Sequence, residues 1–187
     1  MSEKFNGKYR NESIRLQNWD YGWNAAYFVT ICTQNRVCYF GNVADGKIVL
    51  NDVGKIAYNF WIRIPEHFPF IKLGNHVVMP NHIHGIVIID KPNNVGARLI
   101  APLMEPMEPT KHPGGITGNK NPMLHDNLSK IIRWYKGRTT FESHKNHPDF
   151  AWQSRFHDHI IRNDGSFHRI SEYIKNNPRN WSQDQFR

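Results

Sequence analysis

Residues 75–89 carry the feature that constrains the fold most: two apolar segments, Asn75 to Met79 and His82 to Ile89, separated only by Pro80-Asn81. Proline has no backbone donor and the residue before it avoids helical geometry, so the stretch reads as strand, short break, strand. Upstream, Tyr27 to Thr33 is rich in β-branched and aromatic residues and is expected to be a central strand buried on both faces. Val37 to Phe40 and Lys47 to Leu50 flank Asp45-Gly46, a pair suited to a tight hairpin because it tolerates positive φ. Asn51 or Asp52 is expected to cap a helix running to about Ile64, with Val53, Ile56, Ala57, Phe60 and Ile64 on one face and Pro65 closing it.

Downstream, Leu128, Ile131, Ile132 and Tyr135 recur at the spacing of one helix face, predicting a helix from Asn127 to about Phe141. Trp152 to Ile161 reads as a last strand. Asn163 or Asp164 is then suited to cap a final helix through Phe167, Ile170 and Ile174 that ends near Pro178. The order is β-α-β-β-α-β-α. With the extra hairpin set aside, this is an α+β, ferredoxin-like split βαβ: an antiparallel sheet with helices on one face, followed by one more helix. Residues 91–122 are rich in Pro, Gly and Asn without periodicity and are expected to form a long mobile loop. At 187 residues, one domain spanning 1–187 is expected.

No window approaches the apolar run that a membrane span requires, and no membrane association is expected. The polar start, MSEKFNGKYRNESIRLQ, lacks the apolar core of a secretory signal, and the two cysteines, Cys32 and Cys38, suggest no bridge framework. Reduced thiols and a cytoplasmic location are expected. The net charge of +8 favours a polyanionic partner, because counterion release drives much of nucleic-acid affinity.

The sharpest chemical signal is His82-Ile83-His84. Residues two apart on a strand share a face, so both imidazoles can chelate one ion while Ile83 enters the core. Two histidines leave coordination positions open for a phosphate oxygen and water. Ordinary surface alternation fits the same spacing.

The run Val77-Val78-Met79-Pro80-Asn81-His82-Ile83-His84-Gly85 resembles the histidine-hydrophobic-histidine motif of the HUH endonucleases, in the form found in REP-associated tyrosine transposases and related single-tyrosine insertion-sequence transposases. Ala26 to Arg36 is similar to that family's first strand, Trp152-Gln153 to its short motif before the last strand, and Tyr173-Ile174-Lys175-Asn176-Asn177-Pro178 to its nucleophile helix. The resemblance implies Tyr173 as catalytic nucleophile and His82, His84 and Asn177 as metal ligands, with Asn177 one helical turn after Tyr173. Related insertion-sequence transposases carry glutamine at that place. The implied cofactor is a divalent metal, Mg2+ or Mn2+. The implied reaction cleaves and rejoins single-stranded DNA through a 5′-phosphotyrosine, with hairpin-forming DNA as the partner. A homodimer is also implied as an option, since related transposases include dimers that exchange the tyrosine helix.

Tyr135 is the rival nucleophile, but its place on the apolar stripe argues for core packing. Lys130, Arg133, Lys136 and Arg138 are suited to phosphate contact, with a solvated helix face as the ordinary alternative, and Trp134 is suited to base stacking. His157 and His159 repeat the two-apart spacing and stand as a second pair whose role sequence leaves open. Two other functions fit the same residues: an inactive DNA-hairpin-binding protein, and a metal-dependent phosphodiesterase that uses water.

Overall fold

The computed structural model describes the backbone of residues 4–5 and 8–9, and residues 19–92 and 126–186 in full. Apart from Lys91 and Pro92, the expected loop at 91–122 lies outside the described residues. The described elements run β1 (Lys4–Phe5), β2 (Lys8–Tyr9), β3 (Ala25–Cys32), β4 (Gly41–Ala44), β5 (Lys47–Leu50), α1 (Asp52–Ile62), α2 (Ile64–His67), β6 (Ile71–Val78), β7 (His82–Ile89), α3 (Leu128–Ser143), β8 (His157–Ile161) and α4 (Asp164–Asn176).

The central sheet has the order β6-β7-β3-β8, with every neighbouring pair antiparallel. This is the expected ferredoxin-like topology: α1 links β3 to β6 by way of the hairpin, and α3 precedes β8. Strand alternation divides the sheet into two unlike faces. Tyr27, Val29, Ile31, Ile83, Val87 and Ile89 point to one side, where Val53, Ala57, Phe60 and Trp61 of α1 and Leu128, Ile131, Ile132 and Tyr135 of α3 complete the large core. Ala26, Ile86 and Ile161 point to the other, where α4 packs through Phe167, Ile170 and Ile174. Gly85 permits the close approach of α1, because a Cβ there would stand 2.2 Å from Cζ2 of Trp61.

Asparagine caps three of the helices. Asn51 accepts from Gly54 N, Asn127 from Lys130 N and Asn163 from Ser166 N. Each cap satisfies an orphan donor and stabilises by about 1 kcal/mol. Asp45 and Gly46 both take positive φ, as the hairpin requires.

Four boundaries differ from expectation. The first hairpin arm is Gly41–Ala44, not 37–40, because Phe40 is drawn fully into the core and its N–H bonds Pro80 O at 2.9 Å. Pro65 does not end the helix region. It opens α2, whose first turn needs no donor from it. Strand β6 begins at Ile71 and bulges between Leu73 and His76. The last strand begins at His157, since Trp152 makes only an isolated bridge to Thr33 and packs its ring against Phe40, Tyr135 and Phe150. Among the described residues no helix is long and apolar enough to cross a membrane. Cys32 is buried and Cys38 exposed, and neither is bridged.

Candidate active site

Strand β7 presents His82 and His84 on the face opposite α1 and α3. Their ring centroids lie 4.5 Å apart, and the residues are 0% and 1% exposed. The register sets Thr30 opposite His84 and Cys32 opposite His82. Thr30 Oγ1 is hydrogen bonded to His84 Nδ1 at 2.8 Å, while Asn81 Oδ1 lies 2.8 Å from His82 Nδ1. Each Nδ1 thus has a protein partner, while Nε2 of His84 is turned to Tyr173 and Nε2 of His82 to Asp184.

Helix α4 packs on this same face. Its apolar stripe fixes Ile174 against the sheet at 1% exposure, which leaves Tyr173 at the edge of the stripe, 41% exposed. The Tyr173 hydroxyl lies 3.2 Å from His84 Nε2, and its ring meets Phe28 edge-on. Burial raises the Tyr173 pKa, the nearby Asp184 carboxylate raises it further, and the Asn177 side chain opposes both. Asn177 keeps helical angles, φ −55° and ψ −42°, despite preceding Pro178, because the chain tightens into a 3-10 segment, Asn177–Gln183. Its side chain is therefore buried one turn after Tyr173, and its Oδ1 has no hydrogen-bond partner.

The end of that segment and the residues after it fold back over the imidazoles. Phe186 lies 5.1 Å from the His82 ring and 5.6 Å from that of His84, and Trp181 lies 6.1 Å from His82. The segment is tied down by Arg36 Nη1 donating to Gln185 O at 2.8 Å and Asn81 Nδ2 donating to Phe186 O at 2.7 Å. Asp184 comes with it: its Oδ2 lies 3.8 Å from His82 Nε2, at 2% side-chain exposure.

Burial holds the pKa of both imidazoles down to about 3, helped at His82 by the Arg36 charge and at His84 by His82, with Asp184 opposing. Both rings are thus neutral near pH 7, and the contact of His82 with Asp184 is not an ion pair. A buried, unpartnered Nε2, an adjoining imidazole and a carboxylate, all within 4.8 Å of one another, form a donor set that fits a divalent cation. A cation there would give the buried, unpartnered Nε2 a ligand partner.

The other sequence candidates lie elsewhere. Tyr135 is fully buried, donating to Ala57 O at 3.0 Å. Helix α3 carries Lys130, Arg133, Lys136 and Arg138 on the side of the sheet away from the histidines, so the structure does not bring them to the site. Lys130 pairs with Asp126 at 2.7 Å, Lys136 bonds Gln153 O, and Arg138 lies over the rings of Phe60 and Phe141. Trp134 is stacked on His67 at 4.6 Å. His157 and His159, by contrast, pair with Thr30 and Phe28 and so share the His84 face, both exposed. Sequence reasoning missed Asp184, Thr30, Asn81 and Phe186. Asp184 sits in a polar tail with no spacing signal, whereas Asn81 adjoins His82 in plain view.

No protein-family profile matches the chain. Among solved structures, the chain is similar to a REP-associated tyrosine transposase bound to a REP hairpin, with a TM-score of 0.58 and 18% identity, covering 94% of this chain and 77% of that one. This is a likeness of fold, and the fold is transposase-like. In sequence, the chain is 36% identical to an uncharacterized protein of Haemophilus influenzae over 187 residues, 99% of this chain and 98% of that one. Identity at that level along almost the whole of both chains makes them one family, and this chain belongs to the family of the Haemophilus influenzae protein.

Proposed function

We propose that the chain is a single-domain DNA strand transferase that cleaves and rejoins single-stranded DNA through Tyr173. The observation that carries this reading is the Tyr173 hydroxyl 3.2 Å from His84 Nε2, beside a second imidazole that could share an ion. The phenol oxygen forms a bond to a backbone phosphorus and the bond from phosphorus to the 3′ oxygen breaks. The phenol proton is released, and the 3′ oxygen leaves to become a hydroxyl by taking a proton from water. The product is a 5′-phosphotyrosine that keeps the phosphoester bond for reversal by another 3′-hydroxyl.

His82 and His84 would hold the metal through Nε2, since each Nδ1 is committed to Asn81 or Thr30. Asn177 and Asp184 are the oxygen ligands at hand, one from the end of α4 and one from the folded-back tail. When bound, magnesium or manganese supplies polarisation of the scissile phosphate and charge stabilisation at the leaving oxygen. The phenol and both imidazoles belong to one chain, so the proposed site works without a second copy. Exposed His157 and His159 continue its face toward the edge strand β8 and extend the surface open to a DNA strand. The partner proposed is a hairpin-forming single strand, in keeping with the REP hairpin held by the structurally similar transposase.

The test is covalent trapping. With manganese and a labelled single-stranded hairpin, the wild-type protein should retain label through denaturing electrophoresis. Tyr173→Phe should lose it, and Tyr135→Phe should keep it. Cleavage without an adduct would instead assign hydrolysis by water, and hairpin binding without cleavage would assign a binding protein.

A further inference from the structure

The two imidazoles are held differently. His84 sits between two hydroxyl groups, Thr30 Oγ1 at 2.8 Å and Tyr173 Oη at 3.2 Å, and a hydroxyl can donate or accept. Either tautomer of His84 therefore satisfies both contacts. His82 has no such freedom, and the reason is Asn81.

The Asn81 side chain is 1% exposed, and its amide nitrogen donates to two backbone carbonyls, Arg36 O at 3.1 Å and Phe186 O at 2.7 Å. Carbonyls only accept, so turning the amide over would set Oδ1 against two oxygens. Its position is also fixed, because the Asn81 carbonyl accepts from both Thr33 N and Thr33 Oγ1 at 2.9 Å. Oδ1 is thereby committed to face His82 Nδ1 at 2.8 Å as an acceptor. That contact requires the proton on Nδ1, which leaves Nε2 with a bare lone pair, buried and unpartnered, toward His84 and Asp184.

We infer that Asn81 is a positioning residue: its backbone-locked amide holds His82 in the Nδ1–H tautomer and so aims the Nε2 lone pair at a metal ion. The inference rests on the metal-holding role proposed above for His82. It accounts for a polar side chain buried beside the histidine pair, and it uses the general device by which the partner of one ring nitrogen prepares the other for ligation.

The test uses the full chain labelled with 15N-histidine. Long-range 1H–15N correlation near pH 7 without metal reads the His82 tautomer directly, and manganese(II) titration followed by electron paramagnetic resonance reads affinity. The wild type should show Nδ1–H at His82. Asn81→Ala should lose that pure signature and bind manganese about 10–100-fold more weakly, the usual cost of removing such a partner. Asn81→Asp keeps an acceptor toward Nδ1 but sets its second oxygen against the Arg36 and Phe186 carbonyls, so the lock is lost and manganese binding should be weaker than in wild type. An Nε2–H signature in the wild type, or an Asn81→Ala protein with unchanged tautomer and affinity, overturns the inference. If Asn81→Ala does not fold, the wild-type spectrum decides it, Nδ1–H at His82 supporting it and Nε2–H overturning it. A wild type that binds no manganese also overturns it. Manganese binding that depends on Asn81, in a protein that never forms a DNA adduct, leaves it standing and removes only the proposed reaction.

Discussion

Thr30 on the central strand holds His84 on its neighbour, Oγ1 to Nδ1 at 2.8 Å, at a site where Thr30 is 3% exposed. The contact crosses a register that the sheet itself dictates, so the ring is oriented by backbone pairing rather than by a loop. Thr30→Val keeps the shape and removes the hydroxyl. The expected result is a stability loss of about 1–2 kcal/mol from the stranded ring nitrogen and manganese affinity lower by about tenfold. Urea unfolding and metal titration check the two effects separately, and unchanged affinity would remove Thr30 from the account.

Gly85→Ala tests the close approach of α1 to β7. The added Cβ would meet the Trp61 ring at 2.2 Å, and Trp61 is fully buried among core side chains that cannot give way cheaply. A loss of roughly 3 kcal/mol is expected. A melting temperature within a few degrees of wild type would show that α1 can shift.

Acid should weaken the metal-free protein through the histidine pair. In the folded chain both rings stay neutral down to about 3, against an ordinary value of 6.5. The unfolded chain therefore binds more protons throughout that interval, and stability falls as pH drops through it. The contribution is complete above the ordinary histidine value. Between pH 7 and about pH 4 the loss should amount to roughly a few kcal/mol, and urea midpoints at a series of pH values measure it. In a His82→Gln/His84→Gln protein the slope should flatten, and an unflattened slope would assign it to other groups.

Phe186 covers the imidazoles that the proposed chemistry needs. Phe186→Ala should raise the rate at which diethyl pyrocarbonate modifies His82 and His84, read by peptide mass spectrometry, because both are at most 1% exposed in the covered state. The same substitution should speed adduct formation under the proposed function. Modification that stays as slow as in wild type would mean that α4 and Trp181 do the shielding.

How much of this was legible follows from which interactions are local. The β7 strand, its pair of histidines and the Asn163 cap of α4 are written in spacing and capping residues, and they stand where the sequence puts them. The position of Tyr173 at the edge of the Phe167, Ile170 and Ile174 stripe was legible for the same reason. Phe40 was misread because alternation cannot tell a hairpin arm from a linker whose aromatic ring drops into a core. Asp184 and Phe186 were invisible because their return to the histidines depends on the path of Asn177–Gln183, which no periodicity encodes. The basic residues of α3 were visible as charge, but sequence could not say which side of the sheet they occupy.

The histidines belong to a strand hydrogen bonded on both edges, whereas α4 adheres to the sheet through a small separate cluster of apolar side chains. The two parts need not share one cooperative unit. Peeling α4 away would take Tyr173 with it and leave the imidazoles in register. Amide exchange across 164–176 should accordingly outpace that of His82–Ile89, and the distance from the Tyr173 hydroxyl to the imidazoles would be set by how firmly a helix of 13 residues clings to its support.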